Sequence, residues 1–134
     1  IDTNIAPLLI FAHADLLAFQ NKDDEAIKTL DSIPALFPNH ALADDILYRK
    51  AQLAIKHGKY TEAATFYESI LANYGSDILG DDALFKLADL NENQFKNTDK
   101  ARELYQQLME KYPGSLYVVE ARKRFRKLRG DTIN

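Results

Sequence analysis

Cysteine is absent from the 134-residue chain, which excludes disulfides and thiolate metal sites while leaving cytosol and periplasm equally open. With only four prolines and five glycines there is little room for a disordered linker. No apolar run approaches the roughly 20 residues a membrane span requires. The opening stretch, "IDTNIAPLLIFAHADLLAF", is apolar enough to suggest a leader. It has no basic start, and His13 and Asp15 interrupt it, so it reads as a helix. The missing initial methionine leads us to expect the C-terminal part of a longer protein.

Catalytic patterns are missing too. There is no glycine-rich phosphate loop, no Gly-x-Ser-x-Gly elbow and no paired nucleophile and base. His13, His40 and His57 share no helix face at metal-binding spacing. The pairs Asp23/Asp24, Asp44/Asp45 and Asp81/Asp82 are adjacent in sequence, so their side chains diverge by about 100° on a helix instead of facing one substrate. Helix-start electrostatics accounts for them better. The chain therefore reads as a non-enzyme without metal or cofactor.

What is present is a repeat. "GKYTEAATFYESILANYG" at 58–75 returns as "NTDKARELYQQLMEKYPG" at 97–114. Ala14, Ala51 and Ala88 are spaced by 37, as are Phe11, Tyr48 and Phe85; Ala26, Ala63 and Ala101 follow at 37 and 38. Phe37, Tyr74 and Tyr112 close the units, followed by Pro38, Gly75 and Pro113. Inside each unit the apolar positions keep helical spacing, as in Ala63, Tyr67, Ile70 and Tyr74. Polar turns ("QNKDD", "KHGKY", "NENQFKNTD") separate two helices per unit, and the third is one residue longer. Small residues at the helix crossings, Ala14 with Ala26, Ala51 with Ala63 and Ala88 with Ala101, permit a close antiparallel hairpin. Pro38 and Pro113 end the helices before them, and Ser76 and Ser115 stand where they could cap those that follow. One hairpin cannot bury its apolar face alone, so successive copies must stack.

These residues resemble the tetratricopeptide repeat. The middle unit matches best, through Ala51, Gly58, Tyr60, Ala63, Tyr67 and Gly75. The third keeps Ala88, Ala101, Tyr105 and Pro113 without the turn glycine, and the first keeps Ala14, Ala26 and Pro38 with Leu30 in the aromatic slot. The resemblance implies an all-α, right-handed α-solenoid of three antiparallel hairpins plus a capping helix, about seven helices. It makes residues 1–134 one domain, with repeats near 5–38, 42–75 and 79–113 and the cap near 115–129. The 37-residue unit with its "YPGS" ending is similar to bacterial cell-envelope members that scaffold outer-membrane assembly or Tol–Pal function, which favours the periplasm over the cytoplasm.

The same resemblance implies that the first helix of each hairpin lines a concave groove. Phe11, Tyr48 and Phe85 would then form one row, and Asp15, Gln52 and Asp89 the next. The competing reading makes the aromatics core residues. An aromatic, acidic groove would suit an extended protein or peptide segment with apolar anchors and some positive charge. It lacks the lysine and asparagine pattern of members that clamp a terminal carboxylate.

Net charge is −3, unevenly placed: residues 1–115 carry 11 Lys/Arg against 18 Asp/Glu, and residues 116–129 carry 6 against 1. In "LYVVEARKRFRKLRG", Val118, Ala121, Phe125 and Leu128 make one stripe, while Arg122, Lys123, Arg124, Arg126, Lys127 and Arg129 fill the rest. A capping helix explains this pattern, with cations toward its C-terminus. Three alternatives stand beside the groove: binding of anionic lipid or nucleic acid by this basic surface, its docking on the acidic groove of another copy, and a purely structural place in a longer solenoid. A lone basic helix without an aromatic platform argues against nucleic acid.

Overall fold

The structure, a computed structural model, describes residues 5–75 and 78–130. Among these, seven helices and no strands occur: α1 Ala6–Phe19, α2 Asp23–Leu36, α3 Ala43–Lys56, α4 Tyr60–Tyr74, α5 Gly80–Asn93, α6 Thr98–Lys111 and α7 Val118–Arg129. They pair as hairpins α1–α2, α3–α4 and α5–α6, and each hairpin lies on the next, with α7 closing on α6. The result is an all-α solenoid.

The alanines explain the pairing. Ala26, Ala51, Ala63, Ala88 and Ala101 are fully buried and Ala14 nearly so. Around them Leu30, Ile33, Tyr67, Ile70, Tyr105 and Leu108 fill the space between helices. The core falls into two clusters. One belongs to the first hairpin and takes in Ile46 and Leu53 of α3. The other runs from α3 to Ala121 of α7. Because α3 contributes to both, it welds the first hairpin to the rest.

Each hairpin turn uses one residue in the left-handed region, at Asn21 (φ 62°), Gly58 (φ 72°) and Lys96 (φ 55°). These positions are 37 and 38 apart, so the repeat extends to backbone conformation. Glycine adopts this conformation without cost and asparagine tolerates it, whereas a lysine Cβ meets the following carbonyl. Replacing Lys96 with glycine is therefore expected to raise stability by about 1 kcal/mol. Urea denaturation would measure it, and a loss would show that the Lys96 side chain matters more than its backbone.

Helix ends follow the expected chemistry with one exception. Asp23/Asp24, Asp44/Asp45 and Asp81/Asp82 all lie in first turns. α2 ends at Leu36 and α6 at Lys111, each two residues before the Pro38 and Pro113 stops. Ser115, expected to cap, sits three residues before Val118, the first residue of α7. Its Oγ accepts from Tyr117 N at 3.0 Å and donates to Asp81 Oδ2 at 2.5 Å, so it orders the entering turn and ties it to α5. Ser76, the other expected cap, lies outside the described residues. Asn97 caps α6 instead, accepting from Lys100 N at 3.3 Å. Gly80 begins α5 where any Cβ would collide with Gly75 O and the Tyr112 hydroxyl, which itself donates to Gly75 O.

Candidate partner-binding face

The first helices of the hairpins, with α7 as the fourth in register, place matching residues side by side. Phe11, Tyr48 and Phe85 occupy matching positions on α1, α3 and α5 and differ in environment. Phe11 is half-buried under the Arg49 guanidinium, 5.9 Å from the ring centroid. Tyr48 is half-buried, edge-on to Tyr67 at 5.8 Å, and donates to Asp82 Oδ1 at 2.7 Å. Burial first, and then that hydrogen bond, push the Tyr48 phenol well above its ordinary pKa, so it stays a donor. Phe85 is only 7% exposed. Tyr117 stacks on it at 4.6 Å, Tyr105 meets it edge-on at 5.8 Å, and Arg124 covers it at 5.0 Å. Phe85 is a core residue, which matches the competing reading at this position.

The second row is exposed in its middle and neutralised at both ends. Arg49 Nε holds Asp15 at 3.1 Å, and Arg124 Nη1 holds Asp89 at 2.7 Å. Between them Gln52 is exposed. Arg49, Lys86 and Arg124 are themselves spaced by 37 and 38. This third row of cations escaped the sequence reading, although its spacing equals that of the alanines. Its middle member, Lys86, stands at the register of the two arginines, but 34 residues before it, where Arg49 has Asp15, the sequence has Gln52 instead of an acid. Among the described residues Lys86 has no ion-pair partner.

Arg124 is also the member of the basic helix that turns inward. It reaches Glu120 Oε1 at 3.1 Å, Glu92 Oε1 at 3.7 Å and the Tyr105 hydroxyl at 3.0 Å. Burial works against its charge, but the hydrogen bonds it donates to Tyr105 and Asp89 outweigh that and hold its pKa above the ordinary arginine value. Arg122, Lys123, Arg126, Lys127 and Arg129 are exposed, with Arg129 lying 5.1 Å from the Phe125 ring centroid. Five of the six cations expected on that helix surface are thus exposed.

The histidines stand apart. His13 is exposed, and His40 Nδ1 accepts from Leu42 N at 3.2 Å. His57 Nε2 donates to Asp23 Oδ2 at 2.6 Å, beside Lys56 Nζ at 2.9 Å. This cluster joins the start of α2 to the end of α3. The Lys56 and His57 hydrogen bonds hold the buried Asp23 carboxyl below the ordinary value of 3.8. A depressed folded pKa adds stability that is complete above the unfolded value and disappears as pH falls through the folded one. The melting-temperature advantage of the native chain over Asp23→Asn is thus expected to hold at pH 6 and to shrink below about pH 4. An advantage constant down to pH 2 would show that the carboxylate charge is irrelevant. Nearby, a cleft of about 460 Å³ opens between α2, α3 and α4, lined among others by Ile27, Lys50, Leu53 and Phe66. It lies on another side of the stack from the two rows.

Stacked antiparallel hairpins in constant register define a helical-repeat scaffold protein. Two family models, each described as tetratricopeptide repeat, match residues 11–78 and 82–115. The chain belongs to the tetratricopeptide repeat family. Such repeats generally mediate protein–protein interactions, and proteins built from them are typically non-enzymatic scaffolds. No curated protein matches the chain.

Proposed function

We propose that the chain is an interaction scaffold that holds an extended segment of a partner protein along the face formed by α1, α3, α5 and α7. The observation that carries this reading is the middle of that face, where the exposed Gln52 and the half-buried, unpaired Lys86 stand between two rungs already neutralised by Arg49 and Arg124. The carboxylates of Asp15 and Asp89 are in use, so they have little left to attract a cationic ligand. Lys86 favours an acidic group on the guest, and the half-buried Phe11 and Tyr48 offer apolar contact on either side. Phe85 supports the face from beneath.

Peptides selected from a random extended-segment display library would test this by calorimetry against the native chain and two variants. Selected peptides are expected to carry an acidic residue, to lose at least tenfold in affinity with Lys86→Glu, and to bind Glu68→Lys unchanged. Both variants should keep the native circular dichroism: Glu68 is exposed on α4, and the half-buried Lys86 has no ion pair to lose. Indifference to Lys86→Glu would overturn the proposal. So would binding that collapses with added salt and vanishes on neutralising Arg122 and Arg126, because the function would then belong to α7.

A further inference from the structure

The two ends of the stack are built differently. Where α3 meets the preceding hairpin it buries Ile46 and Leu53, 6% and 5% exposed, with Leu42 packed beside them against the first-hairpin core. One period earlier the same register falls on Leu9, Leu16 and Ile5, which are 57%, 51% and 50% exposed. His13 stands at the register of Lys50, whose Nζ pairs with Asp31 of α2 at 2.7 Å. The start of the stack thus offers the kind of surface that α3 offers α2, and no described residue buries it. The rest of α1 agrees, because its only charged side chain is Asp15, already paired with Arg49. A helix apolar on every side is normally a buried one. At the other end, α7 places Arg122 and Arg126 at the register where α5 buries Leu84 and Ala88. That end presents charge at this register instead of aliphatic side chains.

We propose that Ile5, Leu9 and Leu16 form a docking surface for an amphipathic helix of the α2 type. The helix would lie on α1 as α2 lies on α3, with a carboxylate opposite His13 where Asp31 stands opposite Lys50. Continuity with the α2–α3 junction identifies the occupant: the same three positions, bearing the same aliphatic chemistry, already receive such a helix one period later. Head-to-tail stacking of a second copy does not satisfy it, because the end that would approach carries arginines at the matching register. Symmetric pairing of α1 with α1 of another copy is the competing arrangement.

A tandem duplication of residues 5–41 inside the full chain keeps the 37-residue period and lays a copy of α2 in front of the original α1. Amide hydrogen exchange at the original Leu9 and Leu16 is expected to slow at least tenfold, in a protein that sediments as a monomer. Leu9→Glu with Leu16→Glu in that helix should restore the faster exchange. Unchanged exchange with the extra hairpin folded overturns the proposal, as does slowing that survives the glutamates. Dimerisation of the native chain, broken by Leu9→Glu, would give the surface to a second copy and overturn it as well. If the added hairpin fails to fold, a lactam-bridged peptide of residues 23–37 titrated into the native chain decides the matter. Resonance shifts at Leu9 and Leu16, lost with the glutamate pair, support docking, and no shift at millimolar peptide refutes it.

Discussion

Phe85→Ala should lower the unfolding free energy by about 3–5 kcal/mol, the range for truncating a buried aromatic. Three contacts vanish together: the stack with Tyr117, the edge of Tyr105 and the cover of Arg124. All three come from α6, α7 or the turn between them, so the cavity would open where the last hairpin meets its cap. In a solenoid each unit leans only on its neighbours, and α7 should therefore exchange its amides before α1 or α2 does. Phe11→Ala, at the matching position of the first unit, should cost clearly less, because Phe11 is half-exposed, packing partly on the first-hairpin core beneath the Arg49 guanidinium. Urea denaturation of the two variants with unchanged m-value would compare them. A loss below about 1 kcal/mol for Phe85→Ala would return that ring to the surface.

The contrast between Phe11 and Phe85 shows where a linear reading stops. The family resemblance put both rings at one position of the repeat. Whether a member is covered depends on the next unit along. Phe85 is covered by the Tyr117 ring and Arg124, whereas Phe11, packed on its own hairpin core, is covered by Arg49 and stays half-exposed. Period, hairpin pairing and buried alanines were legible because each depends on spacing within a unit or on one repeated small residue. The turn was marked in the sequence by Gly58 and unmarked at Lys96, where an unfavourable residue holds the same left-handed conformation.

Charge was harder to read than packing. Asp15 and Asp89 looked like open acids because their partners, Arg49 and Arg124, are 34 and 35 residues away. A search for cations at the repeat period finds Arg49, Lys86 and Arg124 at once, and with them the unmatched rung at Gln52. Ser115 is similar: its sequence position suggested a local cap, while its hydroxyl proton is committed to Asp81, 34 residues back. Contacts between neighbouring units decide these roles, and they become visible only when one unit is laid on another.

Arg124→Ala is the second large effect, and it separates the two jobs of the basic helix. The substitution leaves Glu92, Asp89 and Glu120 facing one another without their shared cation and removes the cover from Phe85. Removing one partner of a fully buried pair costs about 3–5 kcal/mol. The Arg124 side chain is 27% exposed, so water screens part of the repulsion and about 2–3 kcal/mol is the expected loss. Arg124→Lys should recover only part of this, because an ammonium cannot reach Asp89 and Glu120 with a planar fork or lie flat on a ring. Adding Glu92→Gln to Arg124→Ala should restore stability relative to the single variant, since it removes a carboxylate that has lost its partner. Arg126→Ala, two residues along and exposed, should change stability by less than about 0.5 kcal/mol. Equal losses at Arg124 and Arg126 would mean that α7 is held by its general positive charge, and the specific network around Arg124 would lose its explanatory role.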